Sequence, residues 1–195
     1  MMSDICFFTG HRIIAAKEKA VVKENIKNAI IYLMHEKGVT NFISGGALGF
    51  DTMAAQTVLK LKETYKELKL IMYLPCNDQD KRWTPKDRSI YRYILKYADE
   101  CVLVSNSGYT DGCMKERNLA MARDSSFCIA YYKGRVNSGT GQSVRFAKEN
   151  DCMVINTANT ADMRKIEYII IKARINGIYD EWKDYDYNDQ TDNQN

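Results

Sequence analysis

Asn41-Phe-Ile-Ser-Gly-Gly-Ala-Leu-Gly-Phe-Asp-Thr-Met53 is the stretch with the most chemistry in it. It reads as a short apolar strand ending at Ser44, a glycine turn, then a helix from Met53 to Lys62. Gly45, Gly46 and Gly49 permit backbone angles closed to other residues and let a ligand approach the main chain. A helix opening after such a turn offers free N–H groups and the positive end of its dipole, which suits a phosphate or carboxylate. On this reading a valine at Gly46 or Gly49 blocks an anion and leaves the fold largely intact. Asp51, at the helix start, either caps it or hydrogen-bonds a ribose hydroxyl. The spacing matches neither the dinucleotide fingerprint nor a Walker loop, which requires Gly-Lys-Ser/Thr.

Other candidates fall at the ends of apolar runs. Gly10-His11-Arg12 closes the strand Ile5–Thr9. Arg82 and Trp83 follow the strand Leu70–Leu74; they serve to hold a phosphate and stack a base, or Trp83 plugs the domain edge. A second glycine-bearing loop covers 134–141.

These positions are set by alternating strands and helices. Helical spacing places Val21, Ile26, Ala29, Ile30 and Leu33 on one face of 17–37, closed by Gly38. The helix after the glycine loop extends to about Leu68. Further helices are expected at 89–97, 113–123, 142–149 and 160–176, and strands at 100–104, 127–132 and 152–155. Near-continuous apolar strands separated by helices predict an α/β fold. It is Rossmann-like and doubly wound, with a mostly parallel sheet flanked by helices. Ligands then sit beyond the carboxyl ends of the strands. We expect one such domain over residues 1–180 and an acidic, disordered tail over 181–195.

The net charge of +3 hides an asymmetry: from Asp180 onward the balance is −5, leaving +8 on the body. A basic body favours an anionic ligand. Cys6, Cys101, Cys128 and Cys152 fall in or beside expected buried strands, and no Cys-x-x-Cys occurs. That is the pattern of reduced cytoplasmic thiols. Two histidines without ligand spacing predict no metal, and no cofactor is expected. No apolar run approaches a membrane span. Met1-Met-Ser-Asp4 runs straight into a strand, so no signal peptide is expected.

Ser44-Gly-Gly-Ala-Leu-Gly-Phe-Asp51 resembles the Ser-Gly-x-Ala-x-Gly-x-Asp loop of the DprA/Smf proteins of the SLOG superfamily. With Thr9–Arg12, Leu74–Trp83 and Glu100–Val104 in the same order, the chain is most similar to the YpsA-type proteins of DUF1273. The resemblance implies nucleotide-derived ligands at the carboxyl-end loops and a homodimer. Met114-Lys-Glu-Arg-Asn-Leu-Ala-Met121 is similar to a helix of the LOG hydrolases, which implies a catalytic role for Arg117 and brings Asn118 to the site. Gly139-Thr140, followed by Gly141, matches the Gly-Thr of the second LOG motif, but Ser143 stands where that motif has glutamate. Glycosidic cleavage needs a carboxylate, which Asp51 or Glu116 would have to supply.

The leading expectation is a protein that binds a nucleotide or an ADP-ribose- or NAD-derived molecule as sensor or sequestering agent. An N-glycosidase comes second. A single-stranded DNA binder comes third, because no basic run with interleaved aromatics stands out. Ile169-Ile-Ile171 spans about 200° of a helix, so one of the three is exposed in a monomer or covered by a partner.

Overall fold

The computed structural model describes residues 4–105 and 108–177. The acidic tail expected from residue 181 lies outside them. Six strands, β1 (Ile5–Gly10), β2 (Asn41–Ser44), β3 (Lys69–Leu74), β4 (Glu100–Leu103), β5 (Phe127–Tyr131) and β6 (Met153–Asn156), form one sheet. All pairings are parallel and the order is β4-β3-β2-β1-β5-β6. The chain winds outward from β1 to β4, then crosses back to β5. The switch point therefore lies between the carboxyl ends of β1 and β5, where open α/β sheets bind ligands.

The helices are α1 (Lys19–Lys37), α2 (Phe50–Leu61), α3 (Pro85–Tyr97), α4 (Cys113–Arg123), α5 (Gly139–Glu149) and α6 (Thr160–Ile175). Side chains alternate across the pleat. Cys6, Phe8, Phe42, Leu70, Met72 and Ile129 pack under α1, α2, α3 and α6. Phe7, Ile43, Cys128 and Ala130 pack under α4 and α5. Both faces are covered, as a parallel sheet requires.

Several boundaries differ from the sequence expectation for local reasons. Helix α2 stops at Leu61 rather than near Leu68. It starts at Phe50, after Gly49 at a positive φ of 84°. On α1 the buried valine is Val22, one turn before Ile26 on the buried face, while Val21 beside it is 61% exposed. Gly38, at φ 69°, ends α1 as expected, with Gly38 N–H to the Met34 carbonyl and Val39 N–H to the Leu33 carbonyl. Cys101 is exposed, because β4 is an edge strand with only β3 beside it. In the isoleucine run Ile170 is buried and Ile171 is 48% exposed. Among the described residues no helix is long and apolar enough to cross a membrane.

Helix α3 begins four residues before its expected start at 89 because Thr84 caps it. The Thr84 hydroxyl accepts from Asp87 N–H (3.1 Å) and donates to the Asp87 carboxylate (2.7 Å), with Pro85 in the first turn. Thr84→Ala is expected to lower unfolding free energy by about 1 kcal/mol. Urea denaturation of the variant checks this, and an unchanged midpoint would contradict the capping role.

Candidate functional site

The turn after β2 is built on hydrogen bonds that only this order of residues supplies. The Ser44 hydroxyl accepts from Gly46 N–H (3.2 Å) and donates to the Asp51 carbonyl (3.2 Å). Phe50 N–H reaches the His11 carbonyl (3.2 Å), tying the loop to the end of β1. Thr52 returns both its hydroxyl (2.9 Å) and its N–H (3.1 Å) to the Ala47 carbonyl.

Two ionisable side chains are buried beneath this turn. Arg117 of α4 is 3% exposed and Asp51 of α2 is 5% exposed. The Arg117 guanidinium donates to the Gly45 carbonyl, and its Nε donates to the Asn118 side-chain oxygen at 2.9 Å. The Asp51 carboxyl is bound by the backbone N–H groups of Ala47 and Gly10. Asp51 therefore does not cap α2; Gly49 holds the cap position. Arg117 and Asp51 attract one another, but no ion pair of 4 Å or less joins them.

Burial raises the Asp51 pKa to about 6, against the opposing pull of Arg117, the two backbone N–H groups and Arg12. Burial likewise lowers the Arg117 pKa, and Asp51 pulls it back up. A buried carboxyl with a raised pKa and a desolvated guanidinium beneath the same turn are the kind of arrangement found at functional sites.

The glycines fill packing roles. A Cβ on Gly45 would overlap the Arg117 guanidinium, one on Gly49 the Arg12 carbonyl, and one on Gly10 the Phe50 ring. On Gly46 it would meet the Met72 methyl at 2.8 Å and the Tyr91 ring at 2.9 Å. Gly46 and Gly49 have φ of 63° and 84°. Substitution at either therefore strains the fold itself, contrary to the expectation of an intact fold with a blocked anion.

A second group gathers at the switch point. His11 Nε2 accepts from Lys133 N–H at 3.2 Å, and its ring lies edge-on to Tyr131. Burial, Arg135 and Lys133 all lower the His11 pKa, so the ring is neutral at pH 7. Lys133 pairs with Glu18 at 2.6 Å. Gly139, Thr140 and Gly141 do not form a loop. They are the first turn of α5, because Ser138 caps that helix by accepting from Gly141 N–H at 3.0 Å. Ser143, one turn further in, is buried and its hydroxyl has no hydrogen-bond partner among the described residues. A groove of about 380 Å³ lies beside this group, between α1, α6 and the ends of β5 and β6. Its polar lining is mostly exposed, including Lys17, Lys133 and Arg164, so it lacks the desolvated charges of the glycine turn.

The structure thus brings together Gly10, Ser44, Gly45, Gly46, Gly49, Asp51, Arg117 and Asn118, with the charge of Arg12 near Asp51 and Arg117. His11 and the α5 start form the neighbouring group. Arg82 is exposed, and Trp83 packs edge-on against Tyr91 at 5.2 Å. Glu116 is exposed while Arg117 beside it is buried. Gln79 is an addition: it is buried, and its amide is 3.5 Å from both the Gly45 and Gly46 carbonyls. Its only sequence signal is an uncharged position between Asp78 and Asp80. Among the described residues no cluster of His, Cys, Asp and Glu could hold a metal ion.

An all-parallel sheet with its glycine turn and buried charges at the carboxyl edge is a Rossmann-like architecture of the SLOG type. Residues 6–166 match the model of the YpsA family, the YspA SLOG family, and the chain belongs to that family. It is similar to the SPbeta prophage-derived protein YoqJ of Bacillus subtilis, at 31% identity over 139 residues, covering 66% of this chain and 81% of that protein. It is also similar to a UPF0398 protein of Brevibacillus brevis, at 35% identity over 80 residues, covering 41% of this chain and 42% of that protein. The chain thus spans less than half of that relative. The fold resembles DNA processing protein A of Helicobacter pylori, a structure described for its single-stranded DNA binding mode. That match has a TM-score of 0.59 at 17% identity and covers 89% of this chain and 81% of the other.

Two outcomes follow from the geometry. Gly49→Ala is expected to cost at least about 2 kcal/mol through positive φ and overlap. Gly139→Ala, with open space around it, is expected to gain about 0.5 kcal/mol; urea titrations of the pair decide. For Asp51 the folded pKa lies above the ordinary 3.8, so the folded chain holds this proton more tightly. Its contribution to stability is present below pH 4, falls as pH rises from about 4 to 6, and is flat above; the loss is up to about 3 kcal/mol. Asp51→Asn is expected to remove that part of the slope, and parallel wild-type and variant profiles would refute it.

Proposed function

We propose that this chain binds a nucleotide or an ADP-ribose- or NAD-derived small molecule at the loops on the carboxyl edge of its sheet, as a sensor or sequestering protein. The observation that carries this reading is the pair of buried charges, Arg117 and Asp51, beneath the glycine turn. Burying a guanidinium and a carboxyl without a direct pairing costs stability. A fold keeps such an arrangement where it serves a site. Lys133, Arg135 and the start of α5 add a positive field that suits a phosphate.

Turnover is the alternative. With Ser143 buried and Glu116 exposed, an N-glycosidase would fall back on Asp51, whose carboxyl near pKa 6 suits general acid–base work. Single-stranded DNA binding is a second reading, favoured by the fold shared with the Helicobacter protein. We also propose a homodimer, since α6 exposes Tyr168, Ile171 and Ile175 at helical spacing. A cytoplasmic location fits six free cysteines.

Calorimetry with AMP, ADP-ribose and NAD tests the leading reading. Binding of at least one is expected, weakened about tenfold or more, roughly 1.4 kcal/mol, in Asp51→Asn and His11→Ala. No binding across the panel, or unchanged affinity in folded variants, would overturn it. Chromatographic release of free base from the same ligands would instead establish turnover.

A further inference from the structure

The segment Lys81-Arg-Trp-Thr-Pro-Lys-Asp-Arg-Ser-Ile-Tyr-Arg-Tyr-Ile-Leu-Lys-Tyr97 holds six cations, four aromatics and one acid. Its charges and rings are sorted by α3 into two faces. Tyr91 and Ile94 are buried against the core. On the outer side Tyr93 and Tyr97 are 56% and 49% exposed, one helical turn apart, with ring centroids 4.7 Å from each other. Lys96 Nζ lies 5.3 Å from the Tyr97 ring. Arg92 is 70% exposed and Lys86 is exposed. One carboxylate, Asp80, is shared by Arg88 (3.8 Å) and Arg92 (3.9 Å). Asp87 is occupied by the Thr84 cap. The outer face therefore keeps a surplus of positive charge around two solvent-facing rings.

We propose that this face of α3 binds a single-stranded polynucleotide, with Tyr93 and Tyr97 stacking bases and Lys86, Arg92 and Lys96 contacting phosphates. Exposed aromatics between cations are the physical requirement for that ligand. The rings take bases of any identity, and the cations follow the backbone. A duplex hides its bases, so it satisfies the cations alone. Charge complementarity also disfavours a second copy of α3, which would bring cation to cation. The proposal rests on the single-strand reading above and gives it a surface separate from the glycine turn.

Fluorescence anisotropy tests it on the full chain, with labelled DNA and RNA strands of about 20 nucleotides, a duplex of the same length, and inorganic polyphosphate as competitor. All four variant positions are exposed, so the changes spare the core. The double variant Tyr93→Ala/Tyr97→Ala is expected to weaken strand binding at least about tenfold and to leave polyphosphate competition unchanged. Arg92→Glu/Lys96→Glu is expected to weaken both ligands and to flatten the salt dependence by about two in the log–log slope. Binding of either DNA or RNA strand in this pattern supports the proposal. Strand affinity unchanged in both variants would overturn the α3 site while leaving single-strand binding elsewhere. No strand binding at about 50 mM salt would overturn both. Duplex binding as tight as single-strand binding would remove the stacking role. So would conversion of a dimer to a monomer by the tyrosine variant with strand affinity intact, which would assign the face to a second copy.

Discussion

The donation from the buried Arg117 guanidinium to the Gly45 carbonyl ties together parts of the fold that are far apart in sequence. Arg117 rises from α4, which covers one face of the sheet. Gly45 leads into α2, which covers the other. The bond closes the carboxyl end of β2 between the two layers. It also decides residue type: the guanidinium stands where a side chain on Gly45 would be. Asp51 is the counterweight. Its carboxyl is held by the N–H groups of Ala47 and Gly10, so one buried anion connects the β2–α2 turn to the end of β1. A cation and an anion without direct pairing keep the turn charged inside a desolvated shell, where each interacts more strongly than in water. The glycines around them serve close packing rather than an open cradle.

Much of this was legible in the chain. Alternating apolar strands and amphipathic helices specified a parallel α/β sheet. The glycine-rich stretch with Asp51 marked the turn, and Arg117 became visible only through the likeness of its helix to the LOG hydrolases. Nothing local distinguishes Arg117 from a solvated helix arginine; its burial follows from the approach of β2 in three dimensions. Gln79 was invisible for the same reason. Boundaries failed where a single cap outweighs composition. Ser138 draws Gly139, Thr140 and Gly141 into α5, although two glycines in three residues read as a loop. Thr84 does the same for α3. Cys101 was misplaced because strand order, which periodicity does not report, decides which strand stands at the edge.

Charge was misread by averaging. A net +3 over 195 residues gives little reason to expect a polyanion partner. The segment 80–97, with six cations against Asp80 and Asp87, carries more positive charge than the whole chain does. In linear order its rings and cations are interrupted by Ile90, Ile94 and Leu95, which conceals the pattern. A helix with 3.6 residues per turn turns Ile94 and Tyr91 to the buried side and leaves Arg92, Tyr93, Lys96 and Tyr97 exposed on the other.

That separation makes α3 a shared wall. From its buried side Tyr91 packs close to Gly46 and meets Trp83 edge-on. Gln79 approaches the carbonyls of Gly45 and Gly46. From its exposed side, two residues along, Tyr93 faces solvent. The glycine turn and the cationic face are thus set on opposite sides of one capped, proline-started helix, and its rigidity fixes their separation. Any rearrangement of the glycine turn that displaces Gly46 must move Tyr91 or open a gap against it, since close-packed interiors do not absorb such shifts without cost.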